Sequence, residues 1–411
     1  LNIIKKLLKP YTGLPKEVYV IFISRIINAM GVFIFPLLTL ILTKKIGMSE
    51  DTTGEWIAVF GIIFMPAGLL GGKLTDTIGR KKIIIIFDSL GALSYLLCGF
   101  VEPSMTTVYL IALASVFMGI AQPAHDALIA DVTTPENREG AYSLTYLGFN
   151  MGFALGPAIG GLLFENHLNL LFIGDALTAM IATGLILIFV NDTFEKSKNE
   201  KIGKERKLEQ HVEGSVIKVL FSRPILIIFS MIMFGYAFVY SQWSFLMPLH
   251  TEANFTNEGA KLFGYIASFN GVIVMIFTAV VTAMLDKVKN IRKVVYGGLL
   301  YAIGLGLLGF YSAKAGFFIA VFIFTIGEII VTISSTPFIV NHTPASHRGR
   351  VSAILPFIIG SGNVLGPVII GKALNIITIA TAWRYIGLIM LIYAMLMFLL
   401  EKNEKRLTNV D

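Results

Sequence analysis

Charge is what this sequence has least of. Asp, Glu, Lys and Arg make up only 14% of its 411 residues, against about 25% in soluble domains. Hydrophobic residues reach 55% and the mean hydropathy is +0.76, a surplus no water-soluble core can absorb. Cysteine is nearly absent: Cys98 alone, inside an apolar run, excludes an intrachain disulfide and a thiolate metal framework. The six histidines, His125, His167, His211, His250, His342 and His347, show no ligand spacing, so no metal site is expected. No G-x-x-x-x-G-K-[ST] loop occurs, so ATP is not the expected energy source. No nucleophile–base arrangement points to an enzyme, and no cofactor is expected.

What is present is a series of apolar runs. Twelve are long enough to span a bilayer, which takes about 20 residues: 17–42, 54–74, 82–101, 106–130, 140–164, 169–190, 222–249, 262–285, 292–312, 315–339, 349–375 and 382–401. Lys5, Lys6 and Lys9 precede a full-length first run, so no cleavable leader is expected. The longest polar gap carries mixed charge and no apolar period, and reads as a solvated linker over 191–218. It separates a 1–190 half from a 219–411 half, six spans in each. The formal charge of +7 does not imply nucleic acid, because the basic residues lie in short loops between apolar runs. Of the 33 Lys and Arg, only Lys44, Lys45, Lys261, Lys314, Lys372 and Arg384 face one side; all others except Arg25 face the opposite one. By the positive-inside bias, both termini are cytoplasmic.

An internal repeat links the halves. Pro135, Arg138, Leu155-Gly156-Pro157 and Gly160 answer Pro344, Arg348, Leu365-Gly366-Pro367 and Gly371, with 18 residues from arginine to glycine in both. Between the second and third spans stands Gly72-Lys73-Leu74-Thr75-Asp76-Thr77-Ile78-Gly79-Arg80-Lys81-Lys82. Glycines there permit a tight turn, Asp76 suits a helix N-terminus, and the basic residues mark the cytoplasmic face.

This stretch resembles the G-x-L-a-D-r-x-G-r-k loop of the major facilitator superfamily, with threonine at two of its positions. The resemblance implies an all-α integral membrane protein of twelve transmembrane helices in two pseudo-symmetric six-helix lobes. It also implies a small-molecule substrate site between the lobes, proton coupling, and a monomer in a bacterial cell membrane with lipid as surroundings. By the same resemblance, Gly72, Asp76, Gly79, Arg80, Asp131 and Arg138 form a conformational latch on the cytoplasmic side.

The fifth span places Gly148, Gly152, Gly156 and Gly160 on one face, followed by a bend expected at Pro157. The run from Gly152 to Gly161 resembles the motif of exporters that exchange substrate for protons. Ordinary close helix packing is the alternative. The fourth span departs from the exporters, with Ser115 where they carry an arginine four residues before the glycine, here Gly119.

Ionisable groups inside spans cost at least about 2.5–3.5 kcal/mol and mark function or pairing. The candidates are Arg25, Asp88, Asp126 and Glu328, each for proton coupling. Asp126 is expected to pair with Arg25. Gly327-Glu328 resembles the tenth-span pair of LmrP-like multidrug exporters in the drug–proton antiporter group. In the seventh span Tyr236, Tyr240 and Trp243 share a face beside Gln242, suiting flat cationic ligands; an interfacial aromatic belt is the alternative. Asn28 and Asn270 are further candidates for the cavity. Proton-driven export of hydrophobic or cationic molecules is the expected function. A nutrient symporter and a lipid flippase remain as alternatives.

Overall fold

The computed structural model describes residues 11–134, 137–192, 223–285, 287–342 and 348–408. Residues 193–218 of the expected linker, and Pro135 and Pro344 of the repeat, lie outside them, as do the side chains of Asp76, Arg138 and Arg348. No strand occurs among the described residues. The apolar runs become α1 (Lys16–Met30), α2 (Ile34–Leu40, extended by a π-type turn Ile41–Lys45), α3 (Glu50–Ile78), α4 (Arg80–Cys98), α5 (Met105–Asp131), α6 (Arg138–Phe153), α7 (Gly156–Leu163) and α8 (Leu168–Phe189). After the linker come α9 (Pro224–Tyr240), α10 (Gln242–Asn254), α11 (Gly259–Met284), α12 (Asn290–Leu307), α13 (Lys314–His342), α14 (Arg348–Ala373) and α15 (Ile379–Thr408).

Among the described residues, ten helical stretches are long and apolar enough to cross a membrane. The remaining expected spans, the third and ninth, are helices of 19 and 18 residues whose basic first turns lower their mean hydropathy. Three spans are interrupted. The first breaks at Gly31–Phe33, the seventh at Ser241, and the fifth at Ala154–Leu155. The fifth therefore bends earlier than Pro157, which occupies the first turn of α7, where no backbone N–H is needed.

The chain packs into two compact units: Leu1–Met48, Val59–Gly203 and Phe255–Val272 form one, and Ser49–Ala58, Lys204–Asn254 and Ile273–Asp411 the other. In the first, α1 packs on α6 and α8, and α4 packs on α5 and α8. In the second, α9 packs on α14 and α15, and α12 packs on α13 and α15. These pairings follow one pattern, spans 1–5, 1–6, 3–4 and 3–6 answering 7–11, 7–12, 9–10 and 9–12, so the repeat read in the sequence is also a repeat of packing. The first unit's core holds Val18, Ile83, Ile84 and Ala141, each fully buried. The second buries Trp383, Phe229 and Phe338, the last two stacked at 4.2 Å.

The glycine stripe of the fifth span lies against α1. A side chain on Gly152 would strike Ile26, Ala29 and Met30, and one on Gly156 would meet the carbonyls of Ala29 and Met30. Without a water-driven hydrophobic effect between helices, such close backbone approach is how spans gain dispersion contacts. In the second unit Gly362 and Gly366 meet the α9 backbone and the Ser241–Gln242 break in the same way. Each matched Gly-Pro thus sits beside the interrupted first span of its half.

Candidate functional site

The loop motif is almost entirely helical. Only Gly79 turns, at φ +110 and ψ 155, a conformation closed to residues with a Cβ. Gly72 lies inside α3 with open space where a side chain would go, so it does not make the turn expected of it. The turn delivers Arg80 to the first residue of α4. There its Nε pairs with Asp131 Oδ2 at 2.8 Å and its Nη1 donates to the Thr75 carbonyl at 3.2 Å. Arg80 is 6% exposed, so this pair closes the ends of α3, α4 and α5 with little help from water. Asp76 is on the last turns of α3, and Arg138 opens α6.

In the second unit Glu328 lies midway along α13 and accepts a 2.8 Å hydrogen bond from the Tyr240 hydroxyl. Tyr240 is the last residue of α9, so the helix break releases it toward α13. Its ring stacks on Phe324 at 5.8 Å, and Trp243 stacks on the same Phe324 at 5.4 Å. Tyr301 of α12 completes the group, 4.9 Å from Phe324. A half-buried carboxyl thus faces a set of aromatic rings. Tyr236 and Gln242 do not join its open side. The Tyr236 hydroxyl donates to the Val294 carbonyl at 3.0 Å, and the Gln242 amide donates to the Phe238 carbonyl and Ser241 Oγ. Both are fully buried. Trp243 is 8% exposed and packed on Phe324, rather than standing in an aromatic belt.

The first unit holds a pocket of about 100 Å³ bordered by Arg25, Asn28, Asp88, Gln122 and His125. His125 Nε2 lies 2.8 Å from Asp88 Oδ2, joining α5 to α4. The expected Asp126–Arg25 contact pair is not formed. Asp126 is exposed and takes the Gln122 amide at 3.3 Å. Arg25 borders the same pocket as Asp88 and makes no hydrogen bond or contact ion pair among the described residues. Asn270 is buried on α11, within the first unit. Ser115 donates to the Ile111 carbonyl of its own helix, leaving the pocket without a fourth-span arginine.

Three features escaped the sequence reading. One is the His125–Asp88 pair, which only the packing of α4 against α5 brings together. A second is Asp175 of α8, 4% exposed, whose Oδ2 accepts the backbone N–H groups of Phe33 and Ile34 at 3.2 and 3.3 Å. The third is an ion-pair set in the second unit, where Arg292 meets Glu401 at 2.7 Å, and both Lys289 and His342 meet Glu404. Of the acidic partners on α15, Glu401 closes the last expected apolar run and Glu404 follows it, where both read as tail.

The sequence model of the Major Facilitator Superfamily matches residues 21–367. The chain is 24% identical over 385 residues to Multidrug resistance protein 2 of Bacillus subtilis, covering 92% of this chain and 93% of that one. It is 23% identical over 359 residues to a Na(+), Li(+), K(+)/H(+) antiporter of Planococcus maritimus, covering 82% and 84%. Among solved structures, a peptide transporter POT in complex with sulfate superposes with a TM-score of 0.76 at 16% identity, covering 97% and 96%. That likeness concerns the fold. Repeated packing, the single-residue Gly79 turn and a family match over most of its length place this multi-pass membrane protein, which is a transporter and not an enzyme, in the major facilitator superfamily.

Proposed function

We propose that the chain exports hydrophobic, cationic small molecules in exchange for protons, by alternating access of a 1–190 and a 219–411 lobe joined by the 191–218 linker. The observation that carries this reading is Glu328. It is an acidic side chain deep in an apolar span, hydrogen-bonded to Tyr240 and flanked by stacked rings. A carboxyl so placed binds either a proton or the positive charge of a ligand whose flat body rests on the aromatics. Export is further supported by the glycine stripe against α1 and by relatives named for multidrug resistance and cation–proton antiport. Arg25, Asp88 and Asp126 serve coupling in the first unit, and Asn28 and Asn270 serve the substrate path. Gly72, Gly79, Arg80, Asp131, Asp76 and Arg138 serve as the cytoplasmic latch. The protein works as a monomer in a bacterial plasma membrane, both termini cytoplasmic, with the proton gradient as its only energy source.

The deciding experiment is transport in reconstituted vesicles under an imposed pH gradient, with fluorescent dye cations and nutrients offered in turn. Dye movement against the proton gradient, lost in Glu328→Gln, supports the reading. Gradient-driven accumulation of a nutrient with no dye movement replaces export with uptake.

A further inference from the structure

In the second unit α9 packs on both α14 and α15. The three helices line a groove of about 870 Å³, a volume in the range of sites for organic ligands. Its walls are apolar: α9 contributes Ile228 and Met231, α14 contributes Ile358, and α15 contributes Leu396 and Leu399. Met231 is 62% exposed and Leu399 44%, so the groove opens outward from helices long and apolar enough to cross a membrane. At that depth the surrounding solvent is hydrocarbon rather than water.

The groove has one apolar end and one polar end. Tyr393 bounds the first, its ring pressed on α9 where any side chain at Gly235 would strike it. Asn403 bounds the second. From Tyr393 to Asn403 the helix advances ten residues, about 15 Å, half of a hydrocarbon core of about 30 Å. The groove is therefore one leaflet long. Arg223 and Lys402 stand at its polar end. Arg223 caps α9 and donates to the His342 carbonyl at 2.8 Å, and His342 lies 3.4 Å from Glu404, the neighbour of Asn403 in the chain. Lys402 holds its ammonium over the Phe398 ring, 4.6 Å from the centroid. Both cations are exposed and form no contact ion pair among the described residues. The acids of that end are already engaged, Glu401 by Arg292 and Glu404 by Lys289.

We propose that this groove binds an anionic phospholipid of the leaflet at the C-terminal end of α15. An acyl chain lies along α9, α14 and α15, and the phosphate is held by Arg223 and Lys402. Charge complementarity selects this occupant over a second copy of the chain. A two-fold dimer about the membrane normal would bring the same cations of both copies together, whereas a lipid phosphate neutralises them. The site makes no use of the Glu328 cluster and does not depend on the direction of transport.

The test is native mass spectrometry of the purified full-length protein with phosphatidylglycerol and with phosphatidylcholine of the same acyl chains. The unmodified protein is expected to retain one phosphatidylglycerol in preference to phosphatidylcholine. Arg223→Gln and Lys402→Gln should each weaken that binding about 5-fold and leave phosphatidylcholine binding unchanged. Ser361→Trp, which fills the groove from α14, should abolish it. Leu396→Trp, at a 41% exposed position of the α15 wall, serves if Ser361→Trp does not fold. Equal retention of the two lipids, a preference that survives the tryptophan, or one that survives removal of both cations overturns the proposal. So does a protein dimer that the tryptophan dissociates, since the occupant is then a second copy.

Discussion

At the scale of single residues, the buried polar groups divide into those whose partners are fixed and those facing a pocket or a ring cluster. Asp175 is of the first kind. Its carboxylate takes two backbone N–H groups at the break of the first span, where the start of α2 also presents positive partial charge. Asp175→Ala should orphan the Ile34 N–H, while the Phe33 N–H keeps the Gly31 carbonyl at 2.7 Å, at a cost of about 1–3 kcal/mol, read as a lower melting temperature in detergent. Asp175→Asn, which keeps one acceptor oxygen, should recover most of the loss. Glu328 is of the second kind, taking the Tyr240 hydroxyl beside the stacked rings of Tyr240 and Phe324. Tyr240→Phe should leave the fold intact, because the ring contacts with Phe324 and Tyr301 remain, while changing the pH dependence of dye transport in vesicles. Glu328 was visible in the sequence because a charge in an apolar run stands out. Asp175 was no less charged and was passed over in a span read only for length. His125 was dismissed as scattered, since 37 residues separate it from Asp88 and no local pattern announces a pair made across two helices.

Among helices and turns, the sequence pattern was most informative where periodicity and glycine agree. Spacing alone put Gly148, Gly152, Gly156 and Gly160 on one face, and the structure lays that face on the first span, the first three on α1 and Gly160 on Phe33 and Leu37. Gly152→Val should force α6 off α1 and sharply reduce folded yield, measured by size-exclusion chromatography; a monodisperse variant of unchanged melting temperature would refute the close-packing account. Gly79→Ala should strain the turn between α3 and α4, lowering stability by about 1–3 kcal/mol. The interruptions were less legible. A break in the first span at Gly31–Phe33 and one in the seventh at Ser241 carry no proline at the break itself. They are imposed by tertiary contacts: Asp175 on the first, the close approach of Gly366 on the second. Pro157 suggested a bend in the right span but marks the start of α7 rather than the hinge.

For the whole molecule, hydropathy was enough to anticipate an all-helical membrane protein, because lipid leaves the backbone few options, whereas the superfamily was legible only through the resemblance carried by the Gly72–Lys82 motif. The Arg80–Asp131 pair carries the prediction that belongs here. Asp131→Asn removes the carboxylate charge 2.8 Å from a nearly buried guanidinium, a loss of up to about 3 kcal/mol. If the pair latches the cytoplasmic side, spin-label distances there should shift toward open states; an unchanged distribution with a lower melting temperature would make the pair purely structural. The Asp175 contact has one more consequence, for biogenesis. The ribosome delivers the first span well before the sixth, and until α8 arrives the Ile34 N–H lacks the acceptor that it has in the finished protein, while the Phe33 N–H has only the Gly31 carbonyl of its own break. In lipid such groups cannot be left bare. The opening segment must therefore enter the bilayer in a provisional, unbroken form or wait beside the translocon, and its final kink is installed only when the last helix of its own half is threaded in.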